Sequence, residues 1–180
     1  MRKHALKTAF DNNFDGASYL EFGVWKGLST NQFARMLKTM GLRLYAFDSF
    51  EGLVEDWNGF SLEKGTFDLK GKVPKLDGNV VPVKGFIQQS LPLFLAEHKE
   101  LQINFIHVDV DTYETSKFIL ANLEKYLVDG AIILFDELYN FPGWRHGEYR
   151  ALSEEFDRNE YEYFAFGADS SQVAIRFKKN

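Results

Sequence analysis

The chain has 180 residues, 45% hydrophobic, 16% aromatic and 26% charged, a composition that supports a buried core and argues against extended disorder. Its net charge of −5 disfavours a nucleic-acid partner, which needs a basic face to neutralise phosphates. The absence of cysteine excludes disulfides and thiolate metal sites, leaving oxygen or imidazole ligands for any metal.

The basic start, Met1 to Lys7, is broken by Lys7 and Asp11 where a signal peptide would be apolar. No run of about 18 apolar residues follows, so no membrane partner is expected and the protein is read as cytoplasmic, one domain over residues 1–180. The first strand-like run is Ala17 to Phe22. Phe33, Met36, Leu37 and Met40 then recur at helical spacing, with Ser29 as the expected cap and Gly41 as the stop. A strand over Leu42 to Phe47 leads into Glu51 to Asn79, which has no periodicity and has the length of a lid or binding element. Trp57 and Phe60 in it are candidate pocket residues.

Val80 to Val83 reads as the third strand, and a short helix is expected over Leu91 to His98, with Ser90 as cap and Pro92 in its first turn. Ile103 to Val108 is the fourth strand; a helical stripe of Ile119, Leu120, Leu123 and Leu127 ends near Gly130, and Ala131 to Phe135 is the fifth strand. Tyr149, Leu152 and Phe156 mark a last helix. Tyr161 to Phe166 and Gln172 to Phe177 are too close for a helix between them and should pair as a hairpin. Apolar strands alternating with helices predict an α/β, doubly wound, Rossmann-like fold: a mostly parallel sheet ending in an antiparallel hairpin, with helices on both faces.

In such sheets ligands bind beyond the carboxyl ends of the strands. The first strand ends Glu21-Phe22-Gly23-Val24-Trp25-Lys26-Gly27-Leu28-Ser29, where the glycines allow a sharp turn beside a ligand and the next helix can receive an anion. The bland alternative is a tight strand-to-helix turn. Asp48, 21 residues beyond Gly27, can accept both hydroxyls of a ribose, or can simply form a turn. Asp109, Asp136 and Glu137 finish two neighbouring strands, and three carboxylates at one sheet edge call for protons or a hard cation such as Mg²⁺, Mn²⁺ or Ca²⁺. Helix caps and solvated turns are the alternative. His107 on its apolar strand fits a buried, hydrogen-bonded histidine better than a catalytic one.

Glu21-Phe22-Gly23-Val24 through Gly27, Phe47-Asp48-Ser49-Phe50-Glu51-Gly52-Leu53, and Asp109-Val110-Asp111-Thr112-Tyr113 with Asp136-Glu137 resemble the macrocin O-methyltransferase family from about Ser18 to Phe156. The resemblance implies S-adenosylmethionine as cofactor and a sugar hydroxyl of a small molecule as methyl acceptor; the residues themselves leave a catechol-like phenol or another vicinal oxygen pair open. It implies a cofactor site of Glu21, Phe22, Gly23, Val24, Gly27 and Ser29 at the methionine end, Asp48 and Ser49 at the ribose, Gly85 and Phe86 near adenine, and Asp109. It further implies Mg²⁺ or Mn²⁺ on Asp109, Asp136 and Glu137, with Asp111 as base. His146 is a candidate auxiliary base, or a solvated loop histidine. The chain differs from the family pattern at Glu137, where Asp is commoner, at Thr112, where Leu is usual, and in having about seventeen residues before the first strand.

Asp109-Val110-Asp111-Thr112 also resembles the DxDxT of haloacid-dehalogenase-like phosphatases and the DxD of nucleotide-sugar glycosyltransferases. A third alternative is a binding module that keeps the nucleoside pocket without turnover. A homo-oligomer is left open.

Overall fold

The strands form where apolar residues face helices on both sides. In the computed structural model, which describes residues 1–57, 61–168 and 170–179, they are β1 (Ala17–Phe22), β2 (Leu44–Asp48), β3 (Val80–Lys84), β4 (Gln102–Val108), β5 (Leu127–Phe135), β6 (Tyr161–Phe166) and β7 (Val173–Phe177). They make one 7-stranded sheet in the order β3-β2-β1-β4-β5-β7-β6. The first five strands pair in parallel, and β7 joins β5 and β6 antiparallel, as the closing hairpin predicts; Asp169 in its turn lies outside the described residues. Pro82, which cannot donate to a ladder, sits on edge strand β3.

The helices are α1 (Arg2–Asp11), α2 (Leu28–Lys38), α3 (Ile87–Glu97), α4 (Tyr113–Leu123) and α5 (Glu148–Glu155). Alternation along the strands divides the core. Leu20, Phe22, Ile106, Val108, Ile133 and Phe135 pack with Leu91 of α3, Ile119 and Leu120 of α4 and Leu152 of α5. Tyr19, Phe105, Ile132 and Leu134 point the other way, onto Ala5, Leu6 and Ala9 of α1 and Phe33 and Leu37 of α2. Among the described residues no helix is long and apolar enough to cross a membrane.

Several boundaries differ from the sequence expectation. Helix α2 starts after Gly27, its N-cap, which has a left-handed backbone (φ 77°) suited to glycine, so Ser29 lies inside the helix rather than capping it. Helix α3 begins at Ile87, which puts Ser90 and Pro92 in its interior. Leu127 belongs to β5 and not to the preceding helix: a turn of 3-10 helix over Glu124–Tyr126 separates them. Helix α1 was absent from the expectation altogether. The 51–79 segment is irregular but tied down, with Leu69 and Gly71 donating to the Phe50 carbonyl and Leu53 donating to Thr66.

Register sets the site. Phe22 aligns with Val108, and Val108 with Phe135, so Gly23, Asp109 and Asp136 emerge side by side at the carboxyl edge. The chain reverses its direction of strand addition between β1 and β4, the crevice where open α/β sheets take ligands.

Candidate active site

A cavity of about 340 Å³ opens over that crevice. One wall is the turn after β1. Gly23 has φ 93°, and a Cβ there would lie 1.7 Å from the Asp109 carbonyl oxygen, so only glycine fits. The Asp48 carboxylate fastens this turn: one oxygen accepts the backbone N–H groups of Val24 and Trp25, both at 2.8 Å, and the other accepts Phe50 N–H at 2.7 Å. These bonds are internal to the chain and fix the shape of the wall. Asp48 still lines the cavity together with Ser49, Phe86 and Gln88. Leu28 and Ser29 bring the first turn of α2 to the same space, and no side chain caps that helix, so its leading amide groups suit an anion. Trp25, Leu53, Val54, Trp57 and Phe67 give the cavity an apolar side.

The opposite wall is acidic. Oxygens of Asp109, Asp111 and Glu137 lie within 4.8 Å of one another, as do ligand atoms of His107, Asp109 and Asp136; a hard divalent ion with oxygen ligands at about 2.0–2.6 Å needs donors at such separations. The two groups are compensated differently. His107 is buried, with Nδ1 3.0 Å from Glu21 and Nε2 3.1 Å from Asp136. Burial works against its charged form, but hydrogen bonds to Asp136 and Glu21 outweigh it and push the imidazole up to about 10. A protonated imidazole has no lone pair for a metal. Burial alone would raise Asp136, yet the hydrogen bond and charge of His107, with the guanidinium of Arg2, hold it well below the usual carboxylate range. The same oxygen of Asp136 accepts Arg2 at 2.7 Å and Gln172 at 2.5 Å.

The other group is compensated less: Asp109 feels His107 and Arg2 only at a distance, and Asp111 has a hydrogen bond with Glu137. Burial, followed by repulsion from Asp109 and Asp136, pushes Asp111 up to about 8. Burial likewise carries Asp109 to about 7 against the opposing pull of His107. Glu137 is raised by burial and by Glu148 beneath it, which is itself buried and raised by burial. Glu148 accepts the Glu137 N–H at 3.1 Å, while Oε2 of Glu137 is buried without a partner. An orphaned carboxylate oxygen beside two raised aspartates is the donor set of a hard cation, so the residues fit one. Asp111 also has a left-handed backbone (φ 64°), a strain of the kind concentrated at functional positions.

Of the residues singled out in the sequence, Gly23, Val24, Ser29, Asp48, Ser49, Phe86, Asp109, Asp111, Asp136 and Glu137 line this cavity, and Trp57 joins them. Phe60 lies outside the described residues. Glu21 is fully buried under the site and holds His107. Phe22 is core, stacked 4.6 Å from Phe47, and Gly27 turns against Leu76. Gly85 lies on a separate groove by the β3 edge, and His146 is exposed on a turn of 3-10 helix, away from the cavity lining. His107 is the buried, bonded histidine expected. Sequence reasoning missed Arg2 and Gln88.

A family model described as a methyltransferase domain matches residues 20–138. Comparison with curated proteins finds no match. Among solved structures, the calicheamicin methyltransferase CalS11 superposes with a TM-score of 0.80 at 23% identity, over 97% of this chain and 76% of that one. The O-methyltransferase NovP gives 0.72 at 18% identity, over 99% and 78%. An O-methyltransferase from Bacillus cereus, in complex with S-adenosylhomocysteine (SAH), gives 0.59 at 17% identity, over 98% and 81%. These likenesses establish a shared fold.

Proposed function

Since the chain belongs to the methyltransferase domain family, we propose that it is an S-adenosylmethionine-dependent O-methyltransferase of the macrocin O-methyltransferase type. Its acceptor is a hydroxyl of a small sugar or catechol-like molecule, and Mg²⁺ or Mn²⁺ assists. The reading is carried by one juxtaposition: a glycine turn locked by Asp48 faces four carboxylates, Asp109, Asp111, Asp136 and Glu137, across a single cavity.

The methionine end of the cofactor would lie along the turn at Gly23 and Val24, with its carboxylate at the open first turn of α2 and its ribose at Asp48 and Ser49. Methyl transfer from a sulfonium is an in-line displacement, so alignment and a deprotonated hydroxyl are what the chain must supply. Asp109 and Glu137, whose oxygens lie within 4.8 Å of each other and of Asp111, would hold the metal, with Asp136, which meets Asp109 in the neighbouring cluster, as the third carboxylate; the ion would supply a lowered hydroxyl pKa and orientation of the acceptor oxygen. Asp111, within 4.8 Å of Asp109 and Glu137, would take the hydroxyl proton once the ion offsets the repulsion among the carboxylates. Names of structural neighbours support the acceptor class: CalS11 is described as a TDP-rhamnose 3'-O-methyltransferase. The phosphatase and glycosyltransferase alternatives gain no support from the family match.

The test is methyl transfer to a panel of sugars, vicinal diols and catechols, with and without a strong chelator, in the wild type and in Asp111→Asn. The variant keeps size and hydrogen bonding but cannot accept the proton, so turnover should fall roughly 10²–10⁴-fold while Mn²⁺ still binds. Full activity under chelation would refute the metal's role, and full activity in Asp111→Asn would refute the base.

A further inference from the structure

Helix α1 has no part in the proposed chemistry, yet its first residue enters the acidic cluster. Arg2 Nη2 lies 2.7 Å from Asp136 Oδ1 and 3.9 Å from Asp109 Oδ2, and the side chain lines the cavity. Two features show that this pose is held at a cost. The guanidinium Nε is buried without an acceptor. Arg2 also stands in the first turn of a helix that has no acidic residue there, where the macrodipole disfavours a cation. What keeps the helix in place lies elsewhere, in the burial of Ala5, Leu6 and Ala9 against the sheet. The acidic pair is what rewards the guanidinium.

We propose that Arg2 is a resident cation of the acidic cluster that competes with the divalent ion for Asp109 and Asp136, so that ion binding and the docking of the first turn of α1 oppose each other. The inference rests on the metal reading above. A fixed positive charge within 4 Å of both carboxylates lowers the attraction that a second cation feels there. Asp136 does not need Arg2 for its position, because His107 and Gln172 hold the same oxygen from two other strands or their ends. Removing the guanidinium therefore takes away a competitor and leaves the ligand geometry. Linkage is reciprocal: whatever Arg2 costs the ion in affinity, the ion costs the first turn of α1 in docking free energy.

The experiment is titration of Mn²⁺ alone into the full chain, by calorimetry and electron paramagnetic resonance, for the wild type, Arg2→Gln and Arg2→Lys, with circular dichroism confirming the fold. Arg2→Gln should bind Mn²⁺ about tenfold more tightly and Arg2→Lys close to the wild type. Hydrogen exchange supplies a readout that needs no variant: Mn²⁺ should speed exchange in residues 2–6 of the wild type. Equal or weaker Mn²⁺ binding by Arg2→Gln, or wild-type exchange in α1 that Mn²⁺ leaves unchanged, would overturn the inference alone. No Mn²⁺ binding by the wild type and Arg2→Gln alike, with SAH still bound, would overturn the metal reading itself.

Discussion

The two walls of the cavity are made by opposite means. The proposed cofactor wall is backbone: a glycine turn whose amides are bound by Asp48. The acidic wall is side chain, with carboxylates close enough to repel one another and an orphaned oxygen on Glu137. The first is pre-organised and should tolerate almost no change in shape. The second is electrostatically incomplete and should respond to pH and to cations.

The sharpest way to break the contrast is Gly23→Ala. The added Cβ would meet the Asp109 carbonyl at 1.7 Å in a backbone conformation suited to glycine, so we expect a loss of more than about 2 kcal/mol of stability and no detectable cofactor binding. Chemical denaturation and calorimetry with SAH check this; a stable variant that still binds would mean the turn is not the cofactor wall.

The acidic wall should reveal itself through pH. Asp109 and Asp111 are raised to about 7 and about 8, above the unfolded value of about 3.9. The folded state therefore keeps protons that the unfolded state releases. Their contribution is complete below about pH 4 and is lost as pH rises through 7 and 8, at a limiting slope of about 1.4 kcal/mol per pH unit for each retained proton. His107, raised to about 10, acts in the same direction above its ordinary range. Melting curves in chelator should thus fall between pH 6 and 8.5, and Mn²⁺, replacing the protons, should flatten that fall. A melting temperature that does not change with pH would contradict the repulsion.

The smallest effect is expected at His146, which is exposed and does not line the cavity. His146→Ala should change turnover by less than about twofold, as for surface positions outside any network. A large loss would show that the turn carrying it reaches the acceptor.

Much of this contrast was legible in the residues. Strands buried on both faces stand out as unbroken apolar runs, and the ends of those runs supply Gly23, Asp48, Asp109 and Asp136. What escaped depended on contacts between distant segments. Ser29 and Ser90 looked like caps because their residue type suits that role, but Gly27 and Phe86 precede the first helical turns. Leu127 continued a helical spacing and was claimed by β5 through pairing with Ile103. Asp48 shows in the sequence as a candidate ribose acceptor, and its further role in fastening the turn through Val24, Trp25 and Phe50 depends on how the two strand ends meet. Arg2 carried no local signal at all: its place follows from the packing of α1, whose apolar stripe of Ala5, Leu6 and Ala9 is too small to stand out in the sequence.

The central claim is that this cavity takes a methionine-derived nucleoside on its backbone wall. Calorimetric titration of the wild type with SAH, alongside a nucleoside-diphosphate sugar and NAD, tests it most directly. The account predicts micromolar binding of SAH, about −8 kcal/mol, and no comparable heat from the other two. Tight binding of the nucleotide sugar with none for SAH would contradict it.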